Sequence, residues 1–215
     1  MSGLELIIAN KKYSSWSMRP WLVLKTFEIE FMETLSEFDI PNNSAHFIEF
    51  SPTKKVPVLK HEDFTVWDSL AIVEYLAELF PEKNLWPEDR EQRAHARAIS
   101  CEMHSGFLAL RDECPMNMAR EVSPLALSPE GKRDLARVES IWATCLDQSG
   151  GPFLFGRFTI ADAMFAPVIN RIEKYRLSSS ATVEQYTTAI KTLPAWQEWE
   201  DAGKAEPWIC ENVEV

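Results

Sequence analysis

The stretch from residue 56 to residue 81 has little freedom in how it folds. Val56-Pro57-Val58-Leu59-Lys60 and Phe64-Thr65-Val66-Trp67 flank the short turn His61-Glu62-Asp63 and read as a β-hairpin, with Pro57 at its entry, where a missing N–H breaks no ladder bond. Directly after it, Ile72, Val73, Leu76, Leu79 and Phe80 recur at helical spacing, Asp68-Ser69 are good N-cap types and Pro81 stops the run. A hairpin followed at once by an amphipathic helix needs more sheet beside it and a core beneath it. The rest of the chain must supply both.

Upstream, Leu4 to Ala9 reads as a buried strand, and Ser17 to about Phe27 as a helix with Trp21, Leu22, Val23 and Leu24 crowding one broad face and Pro20 in its first turn. Phe31 to Phe38 suits a second strand, residues 40–44 a turn-rich loop, and Ala45 to Phe50 a short helix ended by Ser51-Pro52. Strand, helix, strand, helix is the order of a βαβ unit with parallel pairing. Beyond Pro81–Pro87 the strand signals vanish, and helical periods cover about Glu88–Glu113, Pro129–Gln148, Ile160–Tyr175, Val183–Lys191 and Ala195–Gly203. The expected organisation is an α/β domain over 1–80, a linker over 81–87 and an all-helical domain over 88–215.

Composition excludes several classes. Apolar residues make up 46% of the 215, with 8 Trp and 12 Phe, which is enough for a large core and argues against disorder. A net charge of −11 without any basic cluster speaks against nucleic acid and anionic membranes as partners. The N-terminal apolar run is too short for a signal or spanning segment, so the expected location is cytoplasmic. Cys101, Cys114, Cys145 and Cys210 show no C-x-x-C pair and the four His no ligand spacing; they read as reduced core thiols, with no metal site.

Two motifs stand out. Tyr13-Ser14-Ser15-Trp16-Ser17-Met18-Arg19 places hydroxyls where a strand meets a helix N-terminus, whose unpaired N–H groups and partial positive charge stabilise an anion. The same serines also suit a plain helix cap and turn, with Ser17 the cap. Thr159-Ile160-Ala161-Asp162 fits a capping box opening a helix that is apolar on nearly every side, a structural role.

Taken together, the βαβ half, the Val-Pro hairpin and helix, and the all-α second part resemble the cytosolic glutathione transferases, nearest in pattern to the serine-type zeta and tau classes. The resemblance rests on Ser14-Ser15 with Arg19 and Trp21-Leu22-Val23-Leu24, on Ser51 to Leu59 followed by Asp68 to Leu76, and on Thr159 to Asp162. It implies an α/β thioredoxin-like N-terminal domain followed by an all-α helical bundle, a cis bond before Pro57, and a homodimer. It further implies glutathione as co-substrate and a small electrophile as its target, in conjugation of the detoxification type.

By the same resemblance Ser14, with Ser15 in reserve, stabilises the thiolate; Ser69 takes the γ-glutamyl carboxylate, Asp68 its ammonium, the Val56 backbone the cysteinyl backbone, and Lys55 the glycyl carboxylate. Read alone, Asp68-Ser69 is also an ordinary cap and Lys55 a surface lysine. Trp16 stands where the zeta pattern has a cysteine, which loosens the link to zeta-type isomerisation. His104, Phe107, Leu108, Arg111, Met116 and Met118 are candidates for the wall of the electrophile's pocket, with Arg111 favouring an acidic co-substrate. A glutathione-dependent cis-trans isomerase of the maleylacetoacetate type and a non-catalytic binding module are the alternatives.

Overall fold

The computed structural model describes residues 3–38, 44–211 and 214. Most of the loop expected over 40–44 lies outside them. Four strands, β1 (Leu4–Ile8), β2 (Met32–Leu35), β3 (Val58–His61) and β4 (Phe64–Trp67), form one sheet in the order β2-β1-β3-β4. β1 pairs parallel with β2 and antiparallel with β3, and β4 runs antiparallel to β3. The register places Leu6 opposite Leu59 and Ile7 opposite Val58, all fully or almost fully buried, so the centre of the sheet is apolar on both faces.

Eight α-helices occur among the described residues. α1 (Ser15–Thr26) links β1 to β2, and α2 (Ser69–Leu79) follows β4. Then come α3 (Arg90–Ser105), α4 (Leu108–Glu113), α5 (Pro129–Ser149), α6 (Ile160–Lys174), α7 (Ala181–Lys191) and α8 (Pro194–Ala205), with short 3₁₀ turns at Ala45–Glu49 and Pro81–Lys83. The fold is thus a thioredoxin-like α/β part followed by a helical part, as the sequence predicts. Val56–Pro57 is cis, as expected, and Gly151–Pro152 is cis too.

Two elements depart locally from expectation, and both lie beside the site. α1 starts at Ser15, two residues before the expected start, because Ser14 and not Ser17 is its cap: the Ser14 hydroxyl accepts the Ser17 N–H. Ser17 instead takes the Ala9 N–H at 3.2 Å, joining the end of β1 to the helix. Pro20 consequently sits in the second turn, where its missing N–H denies the Trp16 carbonyl its intrahelical bond.

The expected single helix over Glu88–Glu113 is two, α3 and α4. The Gly106 N–H closes α3 on the Glu102 carbonyl, and a Cβ at Gly106 would sit 2.8 Å from that oxygen. Phe107 then adopts a left-handed φ of 57°, which buries its ring and turns α4 away from the α3 axis.

α6 is buried on nearly every side and is anchored by its capping box. Asp162 Oδ2 accepts the N–H and hydroxyl of Thr159 at 2.8 and 3.0 Å, while Oδ1 accepts the Leu154 N–H and the Tyr186 hydroxyl. α1 packs chiefly on α6, and Arg19 Nε donates to the Met164 carbonyl at 3.0 Å. The edge-to-face pair Trp21–Trp199 brings α8 against α1 as well. One continuous apolar cluster runs from Leu4 to Trp199 across sheet and helices.

Candidate active site

The turn that opens α1 is held from behind by the chain that leaves α8. Glu206 accepts the Lys11 and Lys12 N–H groups at 2.7 and 2.9 Å, and Lys12 Nζ donates to the carbonyls of Glu206 and Trp208. Gly203 makes this approach possible, since a Cβ there would lie 3.1 Å from Lys11 and Lys12 backbone atoms. Ser14 is buried, and its hydroxyl donates to Ser17 Oγ at 2.7 Å. The Ser15 hydroxyl makes no hydrogen bond within the described residues. Neither serine is in the wall of the neighbouring cleft; Trp16, which follows them, is.

That cleft has a volume of about 440 Å³ and brings together Lys55, Val56, Asp68 and Ser69, four residues singled out from sequence. Ser69, the first residue of α2, is buried, and its hydroxyl has no hydrogen-bond partner among the described residues. Its N–H belongs to the first turn, where helices leave donors free. Val56 lies just outside β3, and among the described residues neither its N–H nor its carbonyl is paired. Lys55 is exposed on the rim and forms no ion pair among the described residues. A hydroxyl, a backbone edge and an ammonium, all uncommitted, therefore line one cavity.

Asp68 is more engaged than its neighbours. It adopts φ 76°, ψ 132°, caps α2 by accepting the Leu70 and Ala71 N–H groups through Oδ1, and faces His104 Nε2 at 2.8 Å through Oδ2. It is both the ordinary cap and a wall of the cleft. The His104 ring in turn meets Trp16 edge-on, with centroids 5.2 Å apart.

Of the candidates for the second pocket, His104 and Arg111 reach the cleft. Met116 and Met118 are core, Phe107 is buried and Leu108 faces solvent. What sequence reading missed includes Thr53, Trp67 and Trp16 as walls, and the burial of two arginines, Arg19 against the Trp16 ring and Arg171 in α6. Arg19 and Arg171 are buried with unpartnered guanidinium N–H groups. The available signal was an arginine inside an apolar helix pattern, since arginine is seldom fully buried without a partner. Burial pushes the Arg19 guanidinium well below its usual range and Arg171 down to about 10, with neighbouring arginine charge adding to each.

With this geometry in place, comparison with known proteins is decisive. Residues 13–79 match the family model for the glutathione S-transferase N-terminal domain, and residues 126–202 the model for the glutathione S-transferase C-terminal domain. The chain belongs to the glutathione S-transferase family. Its similarity to the maleylacetoacetate isomerase of Rattus norvegicus is 29% identity over 187 residues, 85% of each chain. A glutathione transferase homolog from Burkholderia gl BGR1, solved with bound glutathione, shares the fold at a TM-score of 0.74 and 24% identity, covering 96% of this chain and 100% of that one.

A tau class glutathione S-transferase from mango, Mangifera indica, superposes at a TM-score of 0.70 and 20% identity, covering 94% and 96% of the two chains. All six sequence-derived site residues of this glutathione S-transferase fall inside the first family match, whereas His104 and Arg111 lie between the two matches.

Proposed function

We propose that this glutathione S-transferase binds glutathione in the cleft between Lys55 and Ser69, stabilises its thiolate and delivers the sulfur to a small electrophile. The observation that carries this reading is the Ser69 hydroxyl, buried at the start of α2 without a partner, beside the unpaired Val56 backbone. A γ-glutamyl carboxylate supplies the acceptor that Ser69 lacks, and the helix end favours its charge. The cysteinyl backbone pairs with Val56 as an added strand, Lys55 takes the glycyl carboxylate, and Asp68 takes the ammonium.

The thiolate falls to Ser14, with Ser15 in reserve. A thiol of pKa about 8.5 is roughly 3% ionised at pH 7, and lowering it by about two units takes about 2.7 kcal/mol. One hydrogen bond to a charged acceptor contributes about 1.5–3 kcal/mol and the α1 N-terminus about 0.3–1. Ser14 must turn its proton from Ser17 Oγ to the sulfur. A charged acceptor competes well for it, charge-assisted bonds being about twice as strong as neutral ones. Ser14 Oγ meanwhile keeps the Ser17 N–H, so α1 stays capped.

Calorimetric titration with glutathione tests the binding, and mass spectrometry of the products tests the chemistry. Ser14→Ala is expected to lower kcat about 10- to 100-fold while leaving glutathione affinity within a few-fold. If only Ser15→Ala does so, the hydroxyl is the other one; absence of glutathione binding sinks the whole reading, and binding without turnover leaves a binding module. Similarity to the rat isomerase supports a second reading, addition and elimination of the thiol around a double bond, in which no conjugate accumulates. The family resemblance supports a cytoplasmic homodimer with its glutathione domain over 1–80, a linker over 81–87 and a helical domain over 88–215.

A further inference from the structure

Two arginines meet at the Trp16 ring beside the cleft, Arg19 of α1 and Arg111 of α4, and a third, Arg171 of α6, is buried in the helical part; among the described residues none of the three has an ion-pair partner. Arg19 and Arg171 are 1% and 5% exposed, and Nη1 of Arg19 and both Nε and Nη1 of Arg171 are buried without acceptors. Arg111 lines the cleft, and its guanidinium contacts with the His104 and Gly106 carbonyls are long, 3.5 and 3.4 Å. The guanidinium carbons of Arg19 and Arg111 lie 4.1 and 4.5 Å from the centroid of the Trp16 ring. After burial itself, the charges of Arg171 and Arg111 lower the Arg19 guanidinium further and that of Arg111 lowers Arg171, while Asp112 acts in the opposite sense on Arg111 and Arg171.

Burying a cation without an ion-pair partner is costly, and a buried and a half-buried arginine on one ring beside the cavity, in a chain of net charge −11, are the reverse of what surface composition supplies. The aromatic ring offsets part of that cost but offers no hydrogen-bond acceptor. Of the acidic groups near these arginines, Asp68 is already capping α2 and bonded to His104, and Asp112, whose charge favours the cationic forms of Arg111 and Arg171, forms no ion pair with either among the described residues.

We infer that the electrophile of this enzyme carries a carboxylate, which Arg111 contacts directly while the buried Arg19, against the Trp16 ring, supplies positive potential little screened by water. This inference rests on the transferase reading above and names the class of its second substrate. A suitable probe pair is 4-(chloromethyl)benzoate and 4-(chloromethyl)benzamide. In each the thiolate sulfur forms a bond to the benzylic carbon, the C–Cl bond breaks and chloride leaves with the electron pair, so the two differ only in charge at the far end.

The wild-type enzyme is expected to favour the carboxylate in kcat/KM by about tenfold or more, roughly 1.4 kcal/mol, and Arg111→Gln to bring the ratio close to one. A wild-type ratio near one, or a ratio that Arg111→Gln leaves unchanged, overturns the proposal. A turnover-free measurement covers the case in which neither probe reacts. Calorimetry of 4-methylbenzoate against 4-methylbenzamide, on enzyme saturated with glutathione, is expected to show the carboxylate binding about tenfold tighter. Equal affinities overturn the anion site. Carboxylate binding seen without glutathione but lost with it also overturns it, because the arginines then belong to the glutathione site. Failure of glutathione itself to bind is a separate result, which refutes the transferase reading.

Discussion

At the scale of single residues, the site is recognisable by what its polar groups lack. Serine hydroxyls at helix starts ordinarily cap, and Ser14 does so; the Ser69 hydroxyl has no such duty, since Asp68 carries the α2 cap through its own carboxylate. Ser69 is therefore free to serve a ligand, and its removal tests glutathione capture apart from chemistry. Ser69→Ala is expected to raise the KM for glutathione about tenfold or more, with kcat at saturation changed far less, as for one lost bond to a charged group. Steady-state kinetics over a wide glutathione range measure both, and a fall in kcat alone would place Ser69 outside the binding site. Family resemblance marked Ser69, Lys55, Val56 and Asp68, which the local pattern alone would have left as a hairpin entry and an ordinary helix cap. It marked Arg19 only as part of the serine motif and did not mark Arg171, because the burial of each is set by helices far away in the chain and leaves no local pattern.

At the scale of elements, α6 depends on one carboxylate. Asp162 accepts four hydrogen bonds in a site closed to water, and burial pushes its pKa up to about 6 from an ordinary 3.8. The folded state therefore holds this proton more tightly than the unfolded chain does. The resulting stabilisation is complete below about pH 4 and is lost as pH rises through about 6, amounting to about 3 kcal/mol in all. Asp162→Asn removes the titration. The stability gap between wild type and this variant, measured by urea unfolding at fixed protein concentration, should narrow by about that amount between pH 4 and pH 7; a constant gap would show that Asp162 does not titrate in this range. The capping box was legible because it is written in four consecutive residues. The split of α3 from α4 was not, because a periodic pattern continues across Gly106-Phe107 while the backbone turns there to bury the Phe107 ring.

At the scale of the whole molecule, the α/β and helical parts differ in architecture but not in core. The order of elements, strands first and helices after, could be read from periodicity alone, and the split into halves follows from it. Their interlocking could not, for it depends on long-range pairs: Trp21 with Trp199, Arg19 with the Met164 carbonyl, the Ile160 N–H with the Leu85 carbonyl, and Glu206 with the Lys11-Lys12 backbone. α1 is the shared member, with Met18, Trp21, Leu22, Val23 and Leu24 all without solvent exposure. Separating the halves would expose that helix to water, at about 25 cal/mol for each Å² of apolar surface uncovered. Neither half is then expected to survive the loss of the other. Scanning calorimetry should give a single transition whose calorimetric and van't Hoff enthalpies agree for the cooperative unit. Asp162→Asn, although it lies in α6, should shift that transition as a whole, with fluorescence of the 8 Trp, Trp21 and Trp199 among them, reporting the same midpoint as far-ultraviolet circular dichroism. Two resolved transitions, with only the later-sequence helices responding to the Asp162 change, would mean that the continuous cluster from Leu4 to Trp199 does not couple the two parts.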